Sequence, residues 1–313
     1  MYLGIEIGGT KLQLGVGAGT SARLEQLVRL DVNRAAGAKG ILEGILRTGQ
    51  ELVARFRPQR IGIGFGGPID AASGRVVKSH HVVGWDGFPL ARWCEEHLQL
   101  PAALGNDADL AALAEARLGA GAGASPVVYV TVGTGIGAGL VVEGKLYRGA
   151  GLAAMELGHV RLGPRAAASE ILEHAASGLG IAGAARRLLA DPAADTADVQ
   201  DLLARAGNLD LLAAAHVAAA ANAGNKLAQR VMAGACDALG WALGQVVTLL
   251  SPAVIVVGGG VSLAGERCFL APLREAVARY VFPPLAGSYR LVPAELGEEV
   301  VVHGAILLAR EPA

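Results

Sequence analysis

The chain has 313 residues, 52% of them hydrophobic, and 27 Lys and Arg against 28 Asp and Glu give a formal net charge of -1. That is ample material for a sizeable core and more length than one core comfortably supports, so two lobes are expected. The basic residues are scattered, which argues against a nucleic-acid-reading surface, and the three cysteines (Cys94, Cys236, Cys268) include no Cys-x-x-Cys pair, which argues against a disulfide framework and a cysteine zinc site.

In chain order, residues 1–17 read as two strands of a hairpin and 24–32 as a third strand. Residues 38–56 have helical apolar spacing and lead into the apolar strand RIGIGF at 60–65. RVVKSH is a candidate strand, PLARWCEEHLQL a helix behind Pro89, and AALGN a short strand. DADLAALAEARLGAG is a helix that starts at an acidic cap and ends in glycines, and GAGAS is a Gly/Ala linker. PVVYVTVGTGIGAGLVVEGKLYRGA then repeats the opening pattern of β-rich run, Gly/Thr bend and apolar run. Residues 171–250 read as Ala- and Leu-rich helices, with a long one from about Ala223 to Leu250, followed by the strand AVIVV, the cluster GGGVS and a closing helix in GEEVVVHGAILLAR.

The first apolar run holds Glu6 and lacks the basic flank and cleavage site of a signal peptide, and the most apolar stretch, WALGQVVTLLSPAVIVVGGG, is interrupted by Gln245, Ser251 and Pro252. A cytoplasmic protein without a membrane span is the expectation.

The bends carry the chemistry. Gly8, Gly9 and Thr10 can bare successive backbone N–H groups and Lys11 adds a point charge, a combination suited to phosphate oxygens. Gly133, Thr134, Gly135, Ile136 and Gly137 form a second such bend, and Gly259 and Gly260 a third cluster placed to pack backbone against an adenosine. Either bend alone fits an ordinary hairpin turn; the pair, each opening an α/β half, fits two lobes closing on one nucleotide. No G-x-x-x-x-G-K-[ST] occurs, which excludes a P-loop. GIGFGG at 62–67 matches G-x-G-x-x-G, but Pro68 follows where a dinucleotide fold opens a helix, so a nicotinamide-dependent oxidoreductase rests on that match alone.

The order EIGGTK, GIGFGGPID, GWDGFPL, GNDADLA, TVGTGIGAG, ELGH, ILEHAAS and VIVVGGG, spread over essentially the whole chain, resembles the ROK family of sugar kinases and related repressors. The resemblance implies an α/β, two-lobed actin-like ATPase (ribonuclease H-like) fold with a central cleft. The small lobe would span 1–115, with the helix at 300–313 returning to it, and the larger lobe 116–299. It also implies ATP and Mg²⁺ as cofactors, a hexose as substrate and a homodimer.

Phosphoryl transfer to an alcohol needs positioning, charge neutralisation and one carboxylate to take the hydroxyl proton. By resemblance that carboxylate is Asp107 of GNDADLA, at a strand–helix junction where Asn106, Asp107 or Asp109 would also cap the helix. Gly67, Asn106, Asp107, Glu156, His159 and Glu173 would contact the sugar, since carboxylates and imidazole hold vicinal hydroxyls. Trp85 is expected to pack between the lobes. Three departures stand out. HVRLGPRAAASEILE lacks the cysteines with which most relatives bind zinc, so no structural zinc is expected, His159 with Glu170 and His174 being the remaining candidate ligands. Glu6 stands where the family usually has Asp near the metal, leaving a water-mediated Mg²⁺ contact, and His81 takes a sugar-facing position where many glucose-using relatives have Asn. The expectation is an ATP-dependent hexokinase of the glucokinase type acting at a hydroxyl such as C6. The alternatives are a sugar-binding protein without catalysis and a regulator, the latter disfavoured because no helix-turn-helix precedes the phosphate strand.

Overall fold

The computed structural model describes the chain except His80, His81, Gly151, Leu152, Arg165, Pro312 and Ala313. Its contacts divide the chain into two units: Met1–Gly123, Gly139–Ala154 and the chain from Glu295 onward form the first, and Ala124–Ala138 with Met155–Ala294 form the second.

The first unit opens with strands β1 (Tyr2–Ile7), β2 (Lys11–Gly17) and β3 (Leu24–Asp31), then helix α1 (Gly37–Phe56) and strand β4 (Ile61–Phe65). A two-stranded ribbon of β5 (Ile69–Asp70) and β6 (Arg75–Val76) follows, so among the described residues of the candidate strand at 75–80 only Arg75 and Val76 are strand. Helix α2 (Leu90–Leu98), strand β7 (Ala102–Asn106) and helix α3 (Asp107–Leu118) complete this stretch. The five-stranded sheet has the order β3-β2-β1-β4-β7, antiparallel from β3 to β1 and parallel from β1 to β7. β1 and β4 are apolar and buried nearly throughout because both faces of this sheet are covered. On one face, α1 buries Ile41, Ile45, Thr48 and Leu52, a helical stripe. Trp85 is part of this unit's core rather than an inter-lobe wedge: its ring packs edge-on against Phe65 and Phe88 at centroid distances of 5.3 and 5.5 Å.

The second unit begins with β8 (Val127–Val132) and β9 (Ile136–Val142); β9 leads to β10 (Lys145–Leu146) in the stretch that groups with the first unit. Helices α4 (Leu172–Ala176), α5 (Gly178–Leu189), α6 (Thr196–Ala206), α7 (Ala214–Ala223) and α8 (Lys226–Leu250) follow, then β11 (Val254–Gly258), α9 (Ala271–Tyr280) and β12 (Arg290–Pro293). The sheet order is β10-β9-β8-β11-β12, with β8, β11 and β12 parallel. The expected long helix starts at Lys226 rather than Ala223, because Gly224 at φ 103° ends α7 and the Asn225 side chain caps α8 by accepting from Ala228 N–H. α8 is long and apolar enough by composition to cross a membrane, but half of its most apolar window is buried inside the protein, much of it against α9.

The last helix, α10 (Val300–Arg310), belongs to the first unit and covers the second face of its sheet together with α3. The approach is backbone to backbone. A Cβ on Gly62 of β4 would stand 1.8 Å from the Ala305 carbonyl oxygen, and one on Gly304 would stand 2.0 Å from that of Leu110, so only glycine fits at either point. Where the chain leaves and re-enters this unit, the wholly buried Glu115 of α3 holds both passes: its carboxylate accepts from Ala120 N–H on one side and from the Glu295 and Leu296 N–H groups on the other, each at 2.9 Å.

Candidate active site

The sequence-derived site residues fall into one group in each unit. In the first, β1 and β2 pair in a register that sets Glu6 opposite Gln13 and leaves Gly8, Gly9 and Thr10 as the connecting bend, closed by the Gly8 N–H donating to the Lys11 carbonyl at 3.0 Å. The Arg34 guanidinium donates to the Gly9 carbonyl at 2.7 Å and pins the outside of the bend. Lys11 Nζ lies 3.4 Å from Glu6 Oε1 and donates to the Glu298 carbonyl at 3.0 Å, so the ammonium is held beside the bend by the chain entering α10.

Asp107 approaches the same bend from β7 and α3. The Gly66 N–H donates to the carbonyl of Ile7, the residue before the bend, at 3.0 Å, and Asp107 Oδ2 lies over Gly66, 3.2 Å from where a Cβ would be. The helix is capped not by Asp107 but by Asn106, whose Oδ1 accepts from the Ala108 and Asp109 N–H groups at 2.9 and 3.3 Å. The Asn106 Nδ2 donates to the Gly67 carbonyl at 3.2 Å, so this side chain ties Gly67 to the start of α3. Residue 107 keeps some exposed surface, yet enough protein surrounds its carboxyl that burial pushes it up to about 6, opposed by the Ala108 N–H and reinforced by the Glu6 charge. Burial likewise raises Glu6, against the pull of the Lys11 ammonium and the Gln13 amide.

In the second unit, the Gly133–Gly137 bend joins β8 to β9, and three elements converge on it. The Glu173 carboxylate accepts from the Ile136 N–H at 2.9 Å and covers Gly135. α5 starts against the bend, its Gly178 N–H donating to the Gly133 carbonyl at 2.7 Å and its buried Ser177 capping the helix through the Gly180 N–H. Gly158, inside the 3-10 turn Leu157–His159, packs on the Ile136 carbonyl, where a Cβ would stand 2.4 Å away. Gly259, at φ 87°, lies against the Val132 backbone just before the bend, and the exposed Gly260 follows it. Glu156 just before the 3-10 turn and His159 at its last position are exposed side chains 4.0 Å apart. A groove of about 260 Å³ opens along this group, lined by Glu173, His174, Ser177, Leu179, Gly180 and Arg187 among others.

The predicted sugar contact His81 lies outside the described residues. Among the described residues no cluster of three or more His, Cys, Asp or Glu side chains could hold a metal ion; His174 Nδ1 pairs with the Ser169 carbonyl, and all three cysteines are free and buried. Gln13 and Ser177, which bond to these groups, carry no motif of their own. A glutamine at an inward-facing position of the apolar strand KLQLGVG is the signal that could have found the first; serine at the start of a glycine-rich helix is too common to have singled out the second.

A sequence profile of the ROK family matches residues 2–312. The chain belongs to the ROK family. It is 31% identical to a glucokinase of Thermotoga maritima over 99% of its own length and 97% of that protein's. Its fold is similar to that of a ROK family glucokinase from Streptomyces griseus, solved with glucose and AMPPNP, with a TM-score of 0.84 and 29% identity over 99% of both chains. A ROK hexokinase from Thermus thermophilus is similar at a TM-score of 0.82 and 31% identity, covering 98% of this chain and 97% of that one. This ROK chain therefore has the actin-like ATPase fold.

Proposed function

We propose that this ROK protein phosphorylates a hexose, transferring the γ-phosphate of ATP to a sugar hydroxyl, C6 in the manner of a glucokinase. The observation that carries the reading is Asp107, a carboxyl raised to about 6 and set over Gly66 beside the Gly8–Lys11 bend. A carboxylate with that affinity can take a hydroxyl proton near neutral pH, which a carboxylate at its ordinary value does poorly. The glucokinase relatives and the AMPPNP and glucose bound by the Streptomyces griseus protein support the same reaction class.

In this reading Gly8, Gly9, Thr10 and Lys11 hold phosphate oxygens in the first unit. Gly133, Thr134, Gly135, Ile136 and Gly137 do so in the second, aided by the N-terminal end of the twelve-residue helix α5. Gly259 and Gly260 lie against the adenosine. Asn106, Glu156, His159, Glu173, Gly67 and His81 surround the sugar. Magnesium binds through one or two carboxylates, water and phosphate oxygens rather than through a full protein cage. The buried, paired Glu6 carboxylate suits such a site, holding the ion through water, and the ion would supply neutralisation of the triphosphate charge. The protein works in the cytoplasm as a homodimer, which light scattering on a sizing column tests.

Coupled measurement of ADP release with glucose, mannose, fructose, allose and N-acetyl sugars, with and without magnesium, tests the proposal. ADP formation that depends on both a hexose and magnesium is expected. Sugar binding without sugar-dependent ADP release would replace the kinase reading with that of a sugar-binding protein.

A further inference from the structure

Gln13 is a wholly buried amide in an otherwise apolar strand. Burying an amide is costly unless its polar atoms find partners, and here they do. Gln13 stands in register between Glu6 on β1 and Arg29 on β3, so the three side chains share one sheet face as direct cross-strand neighbours. Nε2 donates to Glu6 Oε2 at 2.6 Å and to the Glu298 carbonyl at 2.9 Å, while Oε1 accepts from Arg29 Nε at 2.9 Å. With acceptors on one side and a cation on the other, only one orientation of the amide makes every bond; flipping it would turn its oxygen on the Glu6 carboxylate. Arg29 is steadied in turn by Glu299, 2.8 Å away. Glu6 thus presents one oxygen to Gln13 and the other to Lys11.

Resting on the kinase reading, we propose that Gln13 is a positioning residue for nucleotide: by holding one oxygen of Glu6 it fixes where that carboxylate and the Lys11 ammonium stand for the magnesium-bound triphosphate. Without the amide, Glu6 is free to turn fully onto Lys11, and the two charges then satisfy each other instead of the nucleotide. Among the described residues, none of those proposed for the sugar bonds to Gln13, so the nucleotide is expected to feel its loss more than the sugar does.

The test uses the full chain carrying Gln13→Met or Arg29→Met. Calorimetric titration with AMPPNP, with and without magnesium, is set beside KM for MgATP and for the sugar. For Gln13→Met, the Kd for the magnesium complex and KM for MgATP are expected to rise about tenfold or more, the loss of a charged hydrogen bond, while the sugar KM stays within about twofold. Arg29, whose side chain is 52% exposed, can be replaced without opening the core, and its loss is expected to act in the same direction by roughly two- to fivefold. A lowered thermal midpoint with unchanged nucleotide affinity, or a parallel rise in the sugar KM, would overturn the proposal. If Gln13→Met does not fold, Arg29→Met decides alone. A wild type that binds AMPPNP but phosphorylates no sugar sinks the kinase reading, and the comparison of nucleotide affinities still decides Gln13; a wild type that binds no nucleotide overturns both.

Discussion

Asp107 is held at about 6, against an ordinary value of 3.8, first by burial and then by the Glu6 charge. A general base works ionised, so turnover is expected to be level above pH ~6 and to fall about tenfold per unit below it, as a pH–rate profile will show. Glu6→Gln removes a charge that raises Asp107, so the acid limb of the same profile moves to lower pH even as the rate drops. Asp107→Asn is expected to cut kcat by about 10² to 10⁴ while sugar binding survives. The linkage has a definite sign. Because the folded-state value lies above the unfolded one, Asp107 favours the folded chain fully only below the unfolded value, and that contribution is lost as pH rises through about 6. The permanently neutral Asp107→Asn is therefore expected to melt roughly 2 °C or more above the wild type at pH 7.5 and to show little difference near pH 4. In the sequence, the Asn-Asp pair at a strand–helix junction left open which residue caps and which is free. The structure gives the cap to Asn106, and its short amide does so because Oδ1 and Nδ2 can serve the helix and Gly67 together.

At the scale of elements, the strands, bends and most helices were legible because each carries a local pattern: apolar runs for β1, β4, β8 and β11, and glycine bends at 8–10 and 133–137. What no local pattern shows is who sits next to whom. Nothing in ILEHAAS says that Glu173 bonds the Ile136 N–H, and nothing in ELGH says that its glycine is pressed onto the Ile136 carbonyl. Gly259 carries both a positive φ and a close neighbour, with a Cβ position 2.5 Å from the Val132 carbonyl oxygen, whereas a Cβ on Gly260 would meet open space. Gly259→Ala is expected to cost about 2 kcal/mol or more in denaturant unfolding and Gly260→Ala well under 1 kcal/mol. Glu115 holds N–H groups of two passes of the chain on one carboxylate. Glu115→Gln, whose NH2 must face the N–H donors on one side or the other, is expected to lose about 1–3 kcal/mol by the same measurement, and the exposed Glu51→Gln almost nothing.

At the scale of the molecule, the actin-like fold was legible through motif order across the chain rather than through any one motif. Residues 139–154 carry no signal of which unit they join; they group with the first through contacts such as Gly139 against Ala112, which composition and periodicity do not encode. The return of α10 has a consequence for how this protein is made. The strand bearing Gly4 is synthesised long before the surface that covers it, around Val302. At 5–20 residues per second a ribosome takes on the order of 15 to 60 s to travel between them, and until its end the part of the sheet face that α3 does not reach stays bare. Cells making this protein must shelter that side, and a version ending at Ala294 is expected to accumulate as insoluble aggregate however well its strands pair.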